Sequence, residues 1–181
     1  MTVSDFLTSD RIVFLAAEEK NAAVEELITA VCDSIPGLDR EGIRRRVFER
    51  EDAISSRMSE GIAMPHAIID AMASTVAAVG VSSAGIPWDT SREEPVRLVV
   101  LLVGSRDQHI DVLREIASRL RDPVLYERII TAGSPNEVYN LLTEPVTRET
   151  AGVVYEEEDL SRLTFAHAQI GRASCRERVC H

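Results

Sequence analysis

Residues 50–67 read REDAISSRMSEGIAMPHA, a polar, hydroxyl-bearing approach followed by an apolar run that ends on proline and histidine. Pro65 fixes its own φ near about −65° and biases Met64 toward an extended backbone, so a rigid neighbour aims the imidazole of His66. Gly61, Ile62, Ala63 and Met64 read as a short buried strand leading into it. Ser55, Ser56 and Ser59 place small hydroxyl groups just upstream, an environment suited to an oxyanion. On local physics alone, a histidine merely satisfied at a strand end explains the stretch as well as a reactive one does.

Outward from this stretch, strands and helices alternate. Residues 11–15 carry Ile12, Val13, Phe14 and Leu15, a run too short for a helix and read as the first strand. The next helix places Ala22, Ala23, Leu27, Ile28 and Val31 on one face, with Glu18, Glu19, Glu25 and Glu26 near its start, where carboxylates suit the helix dipole. Pro36-Gly37 ends it. Asp39 is the expected cap of a second helix running to about Glu51, whose apolar contribution is thin: Ile43, Val47 and Phe48. Its Arg44-Arg45-Arg46 run reads as a solvated face, or else as a surface for an acidic partner. Arg50 lies at the end of this helix, where a loop would let it reach toward His66.

On the C-terminal side, residues 76–81 read as a second core strand, followed by a turn over residues 82–87 and by Trp88-Asp89. The lone tryptophan reads as a packing anchor rather than a ligand cradle. Residues 96–103, almost continuous in valine and leucine, are the strongest strand and suit a central position covered on both faces. A helix from about Gln108 to Arg121 follows, with Ile110, Leu113, Ile116, Ala117 and Leu120 as its expected buried stripe and His109 in its first turn. Asp122-Pro123 opens a short helix to Ile130, and Ser134-Pro135-Asn136-Glu137 opens the last, ending near Thr143. This alternation favours an α/β layered domain. From Glu144 the pattern fades through Pro145, Thr147 and Gly152 into an acidic run at 156–159, so residues 147–169 read as a linker.

Composition narrows the function. With 181 residues, 45% of them hydrophobic and 28% charged, the chain can bury one sizeable core. A formal charge of −10 and a pI near 4.9 argue against nucleic acid or an anionic membrane surface as partner and suit a basic protein. The longest apolar runs, such as residues 98–103, fall far short of the ~20 residues that span a bilayer, and no basic region precedes an apolar one at the N-terminus. A cytoplasmic protein with no membrane insertion is expected. Residues 170–180, IGRASCRERVC, match the translation of a common sequencing-library adapter, so 170–181 is expected to be an artefactual tail and the natural sequence to be cut after Gln169. Arg172, Arg176 and Arg178 against Glu177 give that tail +2, which leaves −12 for the remainder. With Cys175 and Cys180 set aside, Cys32 stands alone on a helix, which suits a reducing compartment and gives no disulfide framework. The four histidines are scattered and no acidic residue or cysteine stands at ligand spacing from His66, so no metal site is expected. No internal repeat and no glycine-rich nucleotide loop occurs; no cofactor is expected, and direct use of ATP is disfavoured.

Arg50-Glu51, followed by Ser55-Ser56-Arg57-Met58-Ser59-Glu60-Gly61-Ile62-Ala63-Met64-Pro65-His66-Ala67, resembles the phosphorylation loop of the enzyme IIA domains of the mannitol/fructose/nitrogen class (type 2) of the bacterial phosphoenolpyruvate:sugar phosphotransferase system. That loop runs R-E, then S-T-G-x-G-x-G-I-A-I-P-H-A. The family's V-A, G-I-x-W-D pattern is matched by Val76, Ala77, Gly85, Ile86, Trp88 and Asp89, and a second histidine ahead of a hydrophobic residue and a leucine by His109, Ile110 and Leu113. The resemblance covers about residues 5–143. It implies a mannitol-type IIA fold over residues 1–146: a layered α/β domain whose central mixed β-sheet is flanked by helices.

It also implies a chemistry. The histidine matching His66 would accept a phosphoryl group from phospho-HPr and pass it to a IIB domain, with His109 and Arg50 supporting the phosphate. A neutral imidazole is both a good nucleophile toward phosphorus and a good leaving group. Transfer then depends mainly on positioning and charge stabilisation, which Arg50, with its planar fork, Ser55, Ser56 and the helix start at His109 would provide. Arg57 and Ser59 depart from the family pattern by replacing glycines, which removes backbone freedom where φ > 0 is expected and adds a charge near the phosphate. Two function classes follow from the resemblance: a phosphocarrier in sugar uptake, and a nitrogen-type IIA that regulates a protein partner through its phosphorylation state. A sensor module attached to a longer chain is a third.

Overall fold

The strand β6 (Val96–Gly104) organises the domain. Its residues Leu98, Val99, Val100, Leu101, Leu102 and Val103 are each at most 1% exposed, which requires neighbours on both edges and cover on both faces. On one edge β5 (Val76–Ile86) pairs with it antiparallel, in register from Val76 opposite Val103 to Val81 opposite Leu98. On the other edge β3 (Ile62–Ala63) and β4 (His66–Ile68) pair with it in parallel. With β1 (Ile12–Phe14) parallel on β5 and β2 (Arg57–Ser59) antiparallel on β3, the order is β1-β5-β6-β3-β2, with β4 also on β6. The sheet is mixed and flanked by helices, as expected. This computed structural model describes residues 2–59, 61–89 and 94–144; the linker read at 147–169 and the tail at 170–181 lie outside the described residues.

Among the described residues the α-helices that flank the sheet are α1 (Lys20–Ser34), α2 (Arg40–Ala53), α3 (Arg106–Leu120), α4 (Pro123–Ile130) and α5 (Pro135–Thr143). Their starts follow local chemistry. The Asp39 carboxylate accepts from Gly42 N at 3.0 Å, that of Asp122 from Val124 N at 2.9 Å, and the Ser134 hydroxyl from Glu137 N at 3.2 Å; proline opens α4 and α5. Because side chains alternate along a strand, the two faces of β6 have separate tasks. Val99, Leu101 and Val103 join one cluster with Ala23, Val24, Leu27, Ile28 and Val31 of α1 and Ile43 and Val47 of α2. Leu98, Val100 and Leu102 face the other way, where α3 packs against β6.

Four details differ from the sequence reading or refine it. Instead of turning over residues 82–87, β5 runs on to Ile86: the Ser82 hydroxyl accepts from Gly85 N at 3.0 Å, Gly85 takes φ +81°, and the register shifts before Ile86 meets Val96. Ile110, expected in the buried stripe of α3, is 48% exposed, and His109 and Val112 are buried instead. Positions 109, 112, 113, 116, 117 and 120 make one continuous helical stripe, which 110 does not join. Arg57 and Ser59 lie in the extended strand β2, so the left-handed backbone expected at those positions is not required there; within this stretch it falls at Gly61, φ +73°. On α2, Arg44 pairs with Glu25 and lies 5.3 Å over the Phe48 ring, while Arg45 and Arg46 are exposed. Among the described residues no helix is long and apolar enough to cross a membrane.

Candidate active site

Strand alternation puts His66 where it can meet a partner. Ala67 belongs to the core cluster under α1 and α2, so its neighbour His66, paired with Leu102, turns to the opposite face of the sheet. There α3 delivers His109. The helix starts immediately after β6, His109 N donates to Ser105 O at 3.2 Å, and the two imidazole centroids stand 4.7 Å apart with their planes inclined by 46°. Both histidines are buried, at 2% and 4% exposure.

Backbone groups help to orient the His66 ring. Pro65 O accepts from Leu102 N at 3.0 Å, which docks the segment on β6, and His66 Nδ1 lies 3.2 Å from Met64 O. A carbonyl oxygen can only accept, so this contact assigns the proton of the neutral ring to Nδ1 and its basic lone pair to Nε2.

Arg50, Ser55 and Ser56 form a second group around the end of α2. Arg50 Nη1 donates to Ile54 O at 2.9 Å, whereas its buried Nε and Nη2 have no hydrogen-bond partner among the described residues. Burial pulls the guanidinium below its ordinary pKa, and the adjacent Glu51 carboxylate opposes that shift. Ser56 N donates to both oxygens of Glu51, at 3.1 and 3.3 Å, while Ser56 Oγ is buried without a partner among the described residues. Ser55 Oγ donates to Asp89 Oδ2 at 2.6 Å. Trp88 is buried in the core cluster, as a packing anchor should be, and in addition its Nε1 donates to Glu51 Oε1 at 2.9 Å. Lys20 Nζ completes the surroundings of Glu51 at 3.6 Å.

The structure thus brings His66 and His109 into direct contact and ties Ser56 to them through the backbone, Ser56 O accepting from Met64 N at 2.9 Å. Ser55 is drawn to Asp89 instead. Arg57 Nη2 donates to Glu94 O at 2.6 Å, which fastens β2 to the approach of β6. Sequence reasoning assigned no role to Glu51 or Asp89; the available signal was that both sit inside the quoted Arg50-Glu51 and Trp88-Asp89 pairs. Chemically, a buried guanidinium with two idle donors and a buried hydroxyl are groups that an incoming anion would satisfy.

Residues 5–144 match the family described as phosphoenolpyruvate-dependent sugar phosphotransferase system, EIIA 2. The fructose-specific EIIA component of Haloferax volcanii is 26% identical over 153 residues, 81% of this chain and 99% of that protein. The fructose-specific EIIABC component of Bacillus subtilis is 22% identical over 148 residues, and the chain spans only 23% of its length. In fold, the nitrogen regulatory protein IIA-Ntr of Neisseria meningitidis superposes with a TM-score of 0.70 at 23% identity, covering 78% of this chain and 99% of that one. A match that runs from residue 5 through α5, and so takes in both histidines, Arg50 and the whole sheet, leaves one conclusion: the chain belongs to the EIIA 2 family of the phosphoenolpyruvate-dependent sugar phosphotransferase system.

Proposed function

We propose that the protein is a phosphohistidine carrier which accepts a phosphoryl group from phospho-HPr on His66 and passes it to a IIB domain. The observation that carries this reading is the contact of His66 Nδ1 with Met64 O, because it leaves Nε2 as the nucleophilic nitrogen. In the forward step a P–N bond forms to Nε2 while the bond from phosphorus to the donor breaks, its electron pair leaving with the donor. Nδ1 keeps its proton throughout, held by the carbonyl. His109, 4.7 Å away, stands beside the incoming group, and the idle donors of Arg50 and Ser56 are available to phosphoryl oxygens. Ser55, engaged with Asp89, would have to exchange that bond to take part. Transfer onward is the reverse chemistry, with the imidazole as leaving group.

Incubation with phosphoenolpyruvate, enzyme I and HPr should add one acid-labile phosphate, and His66→Ala should add none. Equal labelling of wild type and His66→Ala would remove His66 from the reaction. A second reading keeps the same chemistry and changes its use: a nitrogen-type IIA that controls a protein partner, favoured by the fold match to a nitrogen regulatory protein. Discharge of the phosphorylated protein by a IIB domain supports uptake, whereas retention of phosphate together with phosphate-dependent binding to another protein supports regulation.

A further inference from the structure

Three hydrogen bonds run end to end from a buried carboxylate to the histidine. Glu51 accepts from Ser56 N at 3.1 and 3.3 Å, Ser56 O accepts from Met64 N at 2.9 Å, and Met64 O stands 3.2 Å from His66 Nδ1. We propose that Glu51 is a positioning residue for His66, acting through this chain of bonds to hold Met64 O where it sets the tautomer and the aim of the ring. The proposal deepens the carrier reading, and its kinetic arm rests on that reading.

The chain conveys position rather than charge. At Ser56 and again at Met64 the donor and acceptor belong to successive peptide units separated by a Cα, so polarisation is interrupted twice, whereas a displacement of Ser56 is handed on directly. Glu51 is well placed to be the fixed end. Its side chain is 2% exposed, and it is itself held by Trp88 Nε1 at 2.9 Å and Lys20 Nζ at 3.6 Å, from β5's continuation and from α1. It also rides on the last turn of α2 beside Arg50, so one carboxylate ties together the helix end, the loop and the ring.

Position and charge make opposite predictions for two variants. Glu51→Gln keeps the length and an acceptor oxygen that can serve Trp88 and Ser56 while losing the charge; Glu51→Asp keeps the charge while drawing the acceptor back by one methylene. Imidazole nitrogen NMR of the full chain should show His66 in its Nδ1–H tautomer in wild type and Glu51→Gln, and a mixture of tautomers in Glu51→Asp. Emission from Trp88, the chain's single tryptophan, should shift in Glu51→Asp as its partner withdraws. With phospho-HPr as donor, kcat should fall about 10²-fold in Glu51→Asp with KM unchanged, as expected for misplacement of a reacting group, and Glu51→Gln should recover most of that loss.

The reverse order, Gln slower than Asp, or wild-type tautomer and kcat in Glu51→Asp, overturns the proposal. If Glu51→Asp does not fold, Glu51→Gln decides, since loss of the Nδ1–H tautomer there also overturns it and retention upholds it. If wild type takes up no phosphate, the carrier reading falls, and the tautomer measurement alone still decides the role of Glu51.

Discussion

The β5–β6 pair and the stretch from Arg50 to Ile68 lie side by side and are held by different means. Along β5 and β6, backbone groups satisfy one another in a long antiparallel ladder and the side chains from Leu98 to Val103 are all apolar. From Arg50 to Ile68 the strands are two or three residues long, and side chains do much of the fastening: Glu51 to Ser56 N, Ser55 to Asp89, Arg57 to Glu94 O, His66 to Met64 O. Arg50, Glu51, Ser56 and His66 are buried there. Burial of apolar surface is non-directional and stabilises, whereas a buried polar network is directional and specifies a geometry. The first region should therefore govern stability and the second activity.

The largest break in that contrast should come from Leu101→Ala. It empties a fully buried site between the sheet and α1, so it should cost about 2–5 kcal/mol by thermal or urea unfolding, with the phosphorylation rate unchanged below the melting transition. A comparable loss of rate at full folding would show that the core and the site are not separable. Arg50→Ala and His109→Ala should do the opposite. Each should slow phosphoryl transfer by roughly 10²-fold, or about 2.7 kcal/mol of barrier, while leaving the melting temperature little changed. Wild-type rates in both variants would make these residues bystanders.

A smaller effect is expected where the two kinds of fastening meet. At Gly61 the backbone has φ +73°, and an added Cβ would lie 2.1 Å from the Tyr126 hydroxyl, so Gly61→Ala should destabilise by roughly 1–2 kcal/mol and slow transfer as well. Gly61→Ala with Tyr126→Phe relieves only the hydroxyl contact. Full recovery in that double variant would assign the whole cost to Tyr126 and none to the backbone.

The smallest effect concerns Cys32, a half-buried residue of α1 packed against the core cluster. Burial pushes its thiol up from the ordinary 9.0, so the folded state favours the protonated form. That contribution is complete below about pH 9 and is lost as pH rises through the folded-state value. Cys32→Ser should accordingly flatten the alkaline end of the stability profile and leave neutral pH unchanged. An alkaline limb identical in wild type and variant would place the thiol in water.

Much of this architecture was legible in residue order. Helix starts at Asp39, Asp122 and Ser134, and the central strand at 96–103, follow from local chemistry and from an unbroken apolar run, and both survive in the structure because local and global preferences agree. The misreadings share a cause. Ser82 and Gly85 look like turn residues but serve a bulge, since the partner strand β6 is long enough to extend the pairing. Ile110 looks like core, yet where α3 leaves β6 decides which stripe faces inward, and that stripe takes His109 instead.

The family and the α/β order could be read from residue order alone, because these depend on residue type, period and near neighbours. Only tertiary structure decided that His66 and His109, 43 residues apart, meet on one sheet face, that Glu51 is enclosed by Trp88, Lys20 and Ser56, and that Ser55 is bound to Asp89. Those contacts join residues whose separation carries no periodic signal; strand register and helix docking create them, and both are set by burying the core as a whole.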